Sequence, residues 1–177
     1  MTMIANSSSW TVAPEPVGSA GSAALLREYL VDVADRWYLL HHGRRCTPEE
    51  IERHLAEDPS DDLVPPQGVF LVGRYDGGPA GCVGVRRLDA RTAEVKRMFV
   101  RPAQRGRGGG PVLLGAAEEL ARSWGAERMV LDTRLDLVEA RALYARQDFR
   151  ETPAHNDGAY AEVWMTKRLE GVHGRAS

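Results

Sequence analysis

Residues 94–111 read Glu94-Val95-Lys96-Arg97-Met98-Phe99-Val100-Arg101-Pro102-Ala103-Gln104-Arg105-Gly106-Arg107-Gly108-Gly109-Gly110-Pro111. A run suited to a strand gives way at Arg101-Pro102 to a loop carrying four glycines, and that loop opens a helix. The helix is plain from its spacing, because Val112, Leu113, Ala116, Ala117, Leu120, Ala121 and Trp124 fall on one apolar face and Gly125 supplies a C-terminal cap. Glycine has no Cβ, so the loop can turn sharply and expose its N–H groups. A helix start adds unpaired N–H groups and the positive end of the helix dipole, which favour an anion. Pro111 is expected at the first helical position, where a missing N–H costs nothing. Arg105 and Arg107 bring cationic donors, each worth about 1.5–3 kcal/mol in a charge-assisted contact. The chemistry suits a diphosphate.

Two familiar phosphate loops are excluded. No Lys-Ser or Lys-Thr pair follows the glycines, as a P-loop requires. Gly106-x-Gly108 begins a dinucleotide fingerprint, but Pro111 stands at its third glycine and the preceding segment is not the first strand of a βαβ unit. A bare linker would not need two arginines among four glycines at a helix start.

Upstream, Gly68 to Tyr75, the turn Asp76-Gly77-Gly78-Pro79, and Ala80 to Leu88 read as a β-hairpin. A turn at Asp89 to Thr92 leads into the run from Ala93 to Val100, making a three-stranded meander. Further back, Thr47-Pro48-Glu49-Glu50 carries an N-cap, a proline at the first helical position and a capping box. That helix fades before Pro59, and residues 58–67 are an acidic loop containing prolines. Ala23 to about His42 is another helix by its spacing, and Trp10 to Ala13 a short first strand. Downstream come a strand at Met129 to Leu131, a helix from about Asp136 to Arg146, and strands near Phe149 and from Tyr160 to Leu169. The order is that of an α+β domain with a central mixed, mostly antiparallel sheet flanked by helices, not a doubly wound one. The expected boundaries are a flexible tail at 1–8, one domain at 9–169 and a tail at 170–177.

Composition agrees. A chain of 177 residues with 43% hydrophobic and 27% charged residues is globular and long enough for one domain. A net charge of −2 argues against a nucleic-acid partner held by broad phosphate neutralisation. Cys46 and Cys82 have no metal-ligand spacing, and His41-His42 lacks an i+4 partner, so no metal is expected. Residues 1–9 carry no Lys or Arg before an apolar run, and no stretch approaches the ~18 apolar residues of a membrane helix, so the expectation is a cytoplasmic chain away from membranes.

At this point the residues resemble a family. Arg105-x-x-Gly108-x-Gly110 at a strand–loop–helix junction, preceded by Glu94 to Pro102, looks like the acyl-CoA motif of the GNAT acetyltransferase superfamily. Val130-Leu131-Asp132-Thr133, then Ala140-Arg141-Ala142-Leu143-Tyr144, then Phe149-Arg150 is similar to the strand–helix–strand that follows it there. The likeness spans about residues 10–169.

The resemblance implies acetyl-CoA as co-substrate and direct acetyl transfer to a primary amine of a small molecule. Met98, Phe99 and Val100 would offer backbone groups to the pantetheine amides, as strand addition to an open edge. The N–H groups of Arg105, Gly106, Arg107, Gly108, Gly109 and Gly110, with Pro111 behind them, would hold the pyrophosphate. Tyr144 matches a tyrosine that can protonate the departing thiolate, or else it is a core aromatic beside Leu137 and Ala140. Glu94 matches the strand position of a glutamate base, or else pairs at the surface with Lys96 or an arginine; simple alternation puts it on one face with Lys96, Met98 and Val100. Tyr38, His155 and Tyr160 would flank the acceptor, together with His41 and His42. Leu137 replaces an asparagine that contacts the cofactor, Gly109 replaces an apolar residue and should loosen the loop, and Asp148 replaces a glycine at a turn it can tolerate. Val163, Trp164 and Met165 serve either a homodimer seam or the core. Two other readings stand beside the enzyme: a non-catalytic acyl-CoA sensor, and an N-acetyltransferase acting on a protein or peptide.

Overall fold

The computed structural model describes residues 5–6 and 9–170. The strand β1 (Ala5–Asn6) pairs antiparallel with β2 (Trp10–Pro14), Ala5 opposite Val12 and Asn6 opposite Thr11. Of the tails expected at 1–8 and 170–177, residues 1–4, 7–8 and 171–177 lie outside the described residues. Helices α1 (Ala20–His42) and α2 (Pro48–Glu57) follow. Ser19 caps α1 by accepting from Ser22 N, and Gly43 in the left-handed conformation ends it. Thr47 and Glu50 form the reciprocal capping box expected at α2, with bonds of 3.2 and 2.9 Å.

The meander β3 (Gly68–Tyr75), β4 (Gly78–Arg87) and β5 (Thr92–Val100) is antiparallel throughout. A 3₁₀ turn (Pro102–Gln104) leads to the glycines and α3 (Gly109–Ser123), followed by β6 (Arg128–Thr133), α4 (Val138–Arg146), β7 (Arg150–Thr152) and β8 (Val163–Arg168). The last strand starts at Val163 rather than Tyr160. The sheet runs β1-β2-β3-β4-β5-β6-β8-β7, and its one parallel pair is β5 with β6.

Each face of the sheet buries its own core. On one side Leu113, Leu114, Ala116, Ala117 and Ala121 of α3 pack on Val83, Val85, Ala93, Val95, Met129 and Leu131. Fully burying a leucine or valine there contributes about 1.5–3 kcal/mol. Val163 and Met165 belong to this core. On the other side Leu25 of α1 and Leu63 pack on Phe70, Val72, Cys82 and Phe99. Gly125 (φ 80°) ends α3 as expected, and Asp148 (φ 69°) takes the left-handed turn before Phe149.

Two features of β5 position the site. Its ladder with β4 shifts between Cys82 and Gly84, and Arg97 opposite the shift has φ 56°. This bulge adds a residue and reverses the alternation. Glu94 and Lys96 therefore stand on the opposite face from Val95, Met98 and Val100, which pack toward α3. The expected common face of Glu94 with Met98 and Val100 is corrected accordingly. Second, β5 pairs with β6 only at Thr92–Arg128, Ala93–Met129 and Glu94–Val130, and beyond Glu94 the two strands part.

Candidate active site

The gap between β5 and β6 opens a cleft of about 980 Å³ that runs through the molecule from the glycine loop to helices α1 and α2. Along it lie Val95 to Val100 of β5, Asp132 and Thr133 of β6, and Leu143 and Tyr144 of α4.

At one end stands the loop. Gly108 (φ 83°, ψ 10°) is the N-cap of α3, so Gly109 and Gly110 are its first residues and Pro111 its third, not its first as expected. The proline still removes one of the four N–H groups that a helix start leaves unpaired. The N–H groups of Gly106 through Gly110 donate to nothing among the described residues. Gly106, Gly108, Gly109, Gly110 and Pro111 line the cleft, and this set of free donors could hold a diphosphate.

Gly109 does not loosen this loop. A Cβ there would meet Trp10 Cζ2 at 2.4 Å, and Trp10 is fully buried with its Nε1 donating to the Arg107 carbonyl at 2.9 Å. The indole from β2 thus fills the place of the missing side chain and ties the loop to the sheet. The two arginines differ from expectation. Arg105 lines the cleft, but its Nε donates to the Val100 carbonyl at 3.0 Å and its Nη2 lies 3.5 Å from Asp32. Arg107 turns out of the cleft onto Tyr75, donating to its hydroxyl at 3.2 Å. Arg146, missed in the sequence, lines the same end from the last turn of α4.

In the middle is Tyr144. It is buried, with its ring edge-on to Phe149 at 5.9 Å, yet it faces the cleft and its hydroxyl has no hydrogen-bonding partner among the described residues. Burial above all, then Tyr29 and the Asp132 carboxylate, push the phenol well above the usual tyrosine range. Asp132 shares the cleft, and its Oδ2 accepts from Asn156 Nδ2 at 2.8 Å. Asn156 is itself fixed by Trp164 Nε1 at 3.0 Å and Gly158 N at 3.1 Å. Glu94 is elsewhere. It is buried rather than at the surface, does not line the cleft, and accepts from Arg86 Nη2 at 2.6 Å, while Arg86 Nη1 holds Asp62 at 2.7 Å.

The far end is aromatic. Trp37, Tyr38, His54 and Tyr160 line it, Trp37 and Tyr160 meeting edge-on at 5.1 Å. The Tyr38 hydroxyl and His54 Nε2 are 3.3 Å apart. Two arginines close the walls: Arg97 pairs with Asp58 at 3.0 Å, and Arg134 with Asp136 at 2.9 Å beneath Trp37. Tyr38 and Tyr160, expected beside the acceptor, line this end of the cleft. His155 does not, its Nε2 lying 3.3 Å from the Leu131 carbonyl; His41 stacks outside on Trp37 and His42 beside Tyr38. Leu137 lines the cleft as the N-cap of α4, without a side-chain cap bond. Trp37 and His54 had no motif of their own, and Asp132 stood inside the strand Val130 to Thr133 of the resemblance without a role assigned to it.

Among the described residues no group of three His, Cys, Asp or Glu could hold a metal ion, and no helix is long and apolar enough to cross a membrane.

Comparison with known proteins follows the same lines. The sequence profile of the acetyltransferase (GNAT) family matches residues 33–149. An uncharacterised N-acetyltransferase of Schizosaccharomyces pombe is 35% identical over 136 residues, covering 75% of this chain and 82% of the relative. The IAA acetyltransferase of Azospirillum brasilense is 35% identical over 114 residues, 58% of this chain and 74% of that protein. Among solved structures, a GNAT family acetyltransferase of Elizabethkingia anophelis with acetyl-CoA bound superposes with a TM-score of 0.59 at 20% identity, covering 92% of this chain and 100% of that one. The PaiA N-acetyltransferase of Thermoplasma acidophilum, in complex with coenzyme A, gives 0.64 at 20% identity, with 90% and 99% covered.

Proposed function

Because the chain belongs to the acetyltransferase (GNAT) family and is an acyl-CoA-dependent N-acetyltransferase, we propose that it transfers acetyl directly to the primary amine of a small molecule. The similarity to a protein named IAA acetyltransferase supports a small-molecule acceptor. The observation that carries the reading is one continuous cleft with the free N–H groups of Gly106 to Gly110 at one end and the Tyr144 phenol midway.

Acetyl-CoA supplies the acetyl group as an activated thioester. The chain's own residues do the rest. Gly106 to Gly110 hold the pyrophosphate, with Arg105 and Arg146 supplying charge. The backbone of Met98, Phe99 and Val100, on the strand edge that β6 leaves unpaired, takes the pantetheine and polarises the thioester carbonyl.

An alkyl amine has a pKa of about 10.4, so near pH 7 its nucleophilic form is scarce and a base is needed. Asp132 takes that proton, directly or through water, because it shares the cleft with Tyr144 and keeps one carboxylate oxygen free of protein donors. Glu94, occupied by Arg86 off the cleft, is not assigned this role. Tyr144 gives its proton to the departing sulfur, and its raised pKa keeps that proton in place beforehand. Each such proton transfer contributes roughly 10²–10⁴-fold. Cys46 and Cys82 do not line the cleft, and burial lifts the Cys82 thiol to about 12, so no cysteine is assigned as a covalent carrier.

The test is calorimetric titration with acetyl-CoA, followed by release of free thiol in the presence of an amine panel. Micromolar binding lost in Arg105→Ala and in Gly108→Val, with amine-stimulated thiol release by the wild type, is the expected result. Tight binding with no amine-stimulated release would leave a sensor in place of the enzyme, and a folded protein that does not bind overturns both.

A further inference from the structure

The acceptor end of the cleft carries two charges without an ion-pair partner among the described residues. Arg97 and Arg134 are neutralised by Asp58 and Asp136. Lys96 lines the same cleft and has no acidic partner within ion-pair distance among the described residues. Asp62, whose Oδ1 is buried without a hydrogen bond, is ion-paired with Arg86 and feels the Lys96 charge only from beyond ion-pair distance. On the other wall Asp132 meets only the neutral amide of Asn156.

The sheet register brings these two residues opposite one another. The parallel ladder of β5 and β6 ends at Glu94–Val130. Two residues further along each strand stand Lys96 and Asp132. Ala93, Val95, Met129 and Leu131 all pack toward α3, so Lys96 and Asp132 both point to the opposite face, where α1 and α2 close the acceptor end. A cation and an anion thus flank the point where the strands separate, without pairing with each other, and the aromatic walls of Trp37, Tyr38 and Tyr160 rise beside them. Lys96 is half-buried and Asp132 is exposed within the cleft, so a ligand bearing both charges can pair each of them there.

We infer that the acceptor is an amino acid or close relative with an apolar or aromatic side chain: its amine lies at Asp132, its carboxylate on Lys96, and its side chain against the aromatic wall. The inference rests on the acetyl-transfer reading above and adds the class of acceptor. Acetylation joins the amine nitrogen to the acetyl carbon as the carbon–sulfur bond breaks, and the amine proton leaves through Asp132; the carboxylate is untouched. Lys96 is accordingly a specificity residue rather than a catalytic one.

The test compares L-phenylalanine with phenethylamine, the same amine without its carboxylate. Both are titrated calorimetrically into protein saturated with coenzyme A, and both are assayed for acetyl transfer from acetyl-CoA. Phenylalanine is expected to bind and to react with a kcat/KM roughly tenfold to a hundredfold above phenethylamine, the worth of one charge-assisted contact. In Lys96→Met the ratio between the two falls toward one, and in Lys96→Arg much of it returns. Equal or better binding of phenethylamine by the wild type overturns the inference. So does a Lys96→Met protein that keeps the ratio and loses only stability, which would assign the ammonium to Asp62. Acetylation of some other amine with no response to a carboxylate would sink the acceptor class while leaving acetyl transfer intact. Loss of acetyl-CoA binding or of all transfer would instead count against the underlying reading.

Discussion

The indole of Trp10 occupies the space that a side chain at position 109 would need, 2.4 Å from the Cβ that Gly109 lacks. Two residues nearly a hundred positions apart therefore behave as one unit at the start of α3. Gly109→Ala is expected to cost about 1–3 kcal/mol through overpacking against a ring that cannot swing away. Trp10→Ala is expected to cost about 3–5 kcal/mol as a large core truncation. The double variant should cost clearly less than the two together, because the cavity left by the indole admits the new methyl. Urea denaturation of the four proteins measures this, and simple additivity would refute the coupling.

Tyr144→Phe should lower kcat by about 10²-fold while acetyl-CoA affinity holds, since only the proton donor is removed. The raised pKa sets the sign of the pH effect: the acid form persists above the ordinary tyrosine value of about 10, so kcat for the wild type should not fall through loss of this proton below that pH. A decline beginning near pH 8 that disappears in Tyr144→Phe would contradict the assignment.

Glu94 and Asp132 should separate stability from chemistry. Glu94→Ala removes the buried one of the two carboxylates that hold Arg86, which keeps Asp62, and is expected to destabilise by about 1–3 kcal/mol. The folded fraction should retain most of its turnover. Asp132→Asn keeps the Asn156 neighbourhood nearly isosteric and should lower kcat by about 10²-fold with little change in melting temperature. Thermal melts and single-turnover rates on both variants decide it, and the reverse pattern would return the base to Glu94.

Acid stability should depend on the α2 cap. Arg44 foremost, then the Thr47 backbone N–H, holds the Glu50 carboxyl far below the usual glutamate range. A depressed folded-state pKa contributes stability that is fully present above the unfolded value and is lost as the pH falls toward the folded one. The urea midpoint of the wild type should therefore fall further between pH 6 and pH 3 than that of Glu50→Gln. Parallel pH dependences would show that the cap carries no such linkage.

Elements with a local cause were legible in the sequence. While the left-handed turn at Asp148 came from the resemblance alone, the capping box at Thr47, the hairpin at Asp76 to Pro79 and the apolar face of α3 each announce themselves within a few residues. So did the loop that lines one end of the cleft. What was hidden depends on contacts between distant segments. The bulge at Arg97 moved Met98 and Val100 to the other face from Glu94, and period-two alternation cannot anticipate one inserted residue. The looseness expected at Gly109 failed because its compensation comes from Trp10 on β2. Arg107 was read as a phosphate ligand from its place in the loop, but Tyr75 on β3 offered it a ring and a hydroxyl. Asp132 was quoted within the strand Val130 to Thr133 but given no role, and the parting of β5 and β6 is what puts it in the cleft.

That parting also makes the sheet two plates stitched by a seam three residues long, Thr92 to Glu94 against Arg128 to Val130. Five strands lie on one side of the seam and three on the other. Bending between the plates is resisted there by few rungs of the ladder, leaving the core that α3 lays across the seam to hold the width of the gap. A molecule that lays amide groups along the bare edge of β5 lengthens the stitching. Its arrival would be felt as stiffness in strands it never touches, with slower amide exchange as far away as β2 and β7.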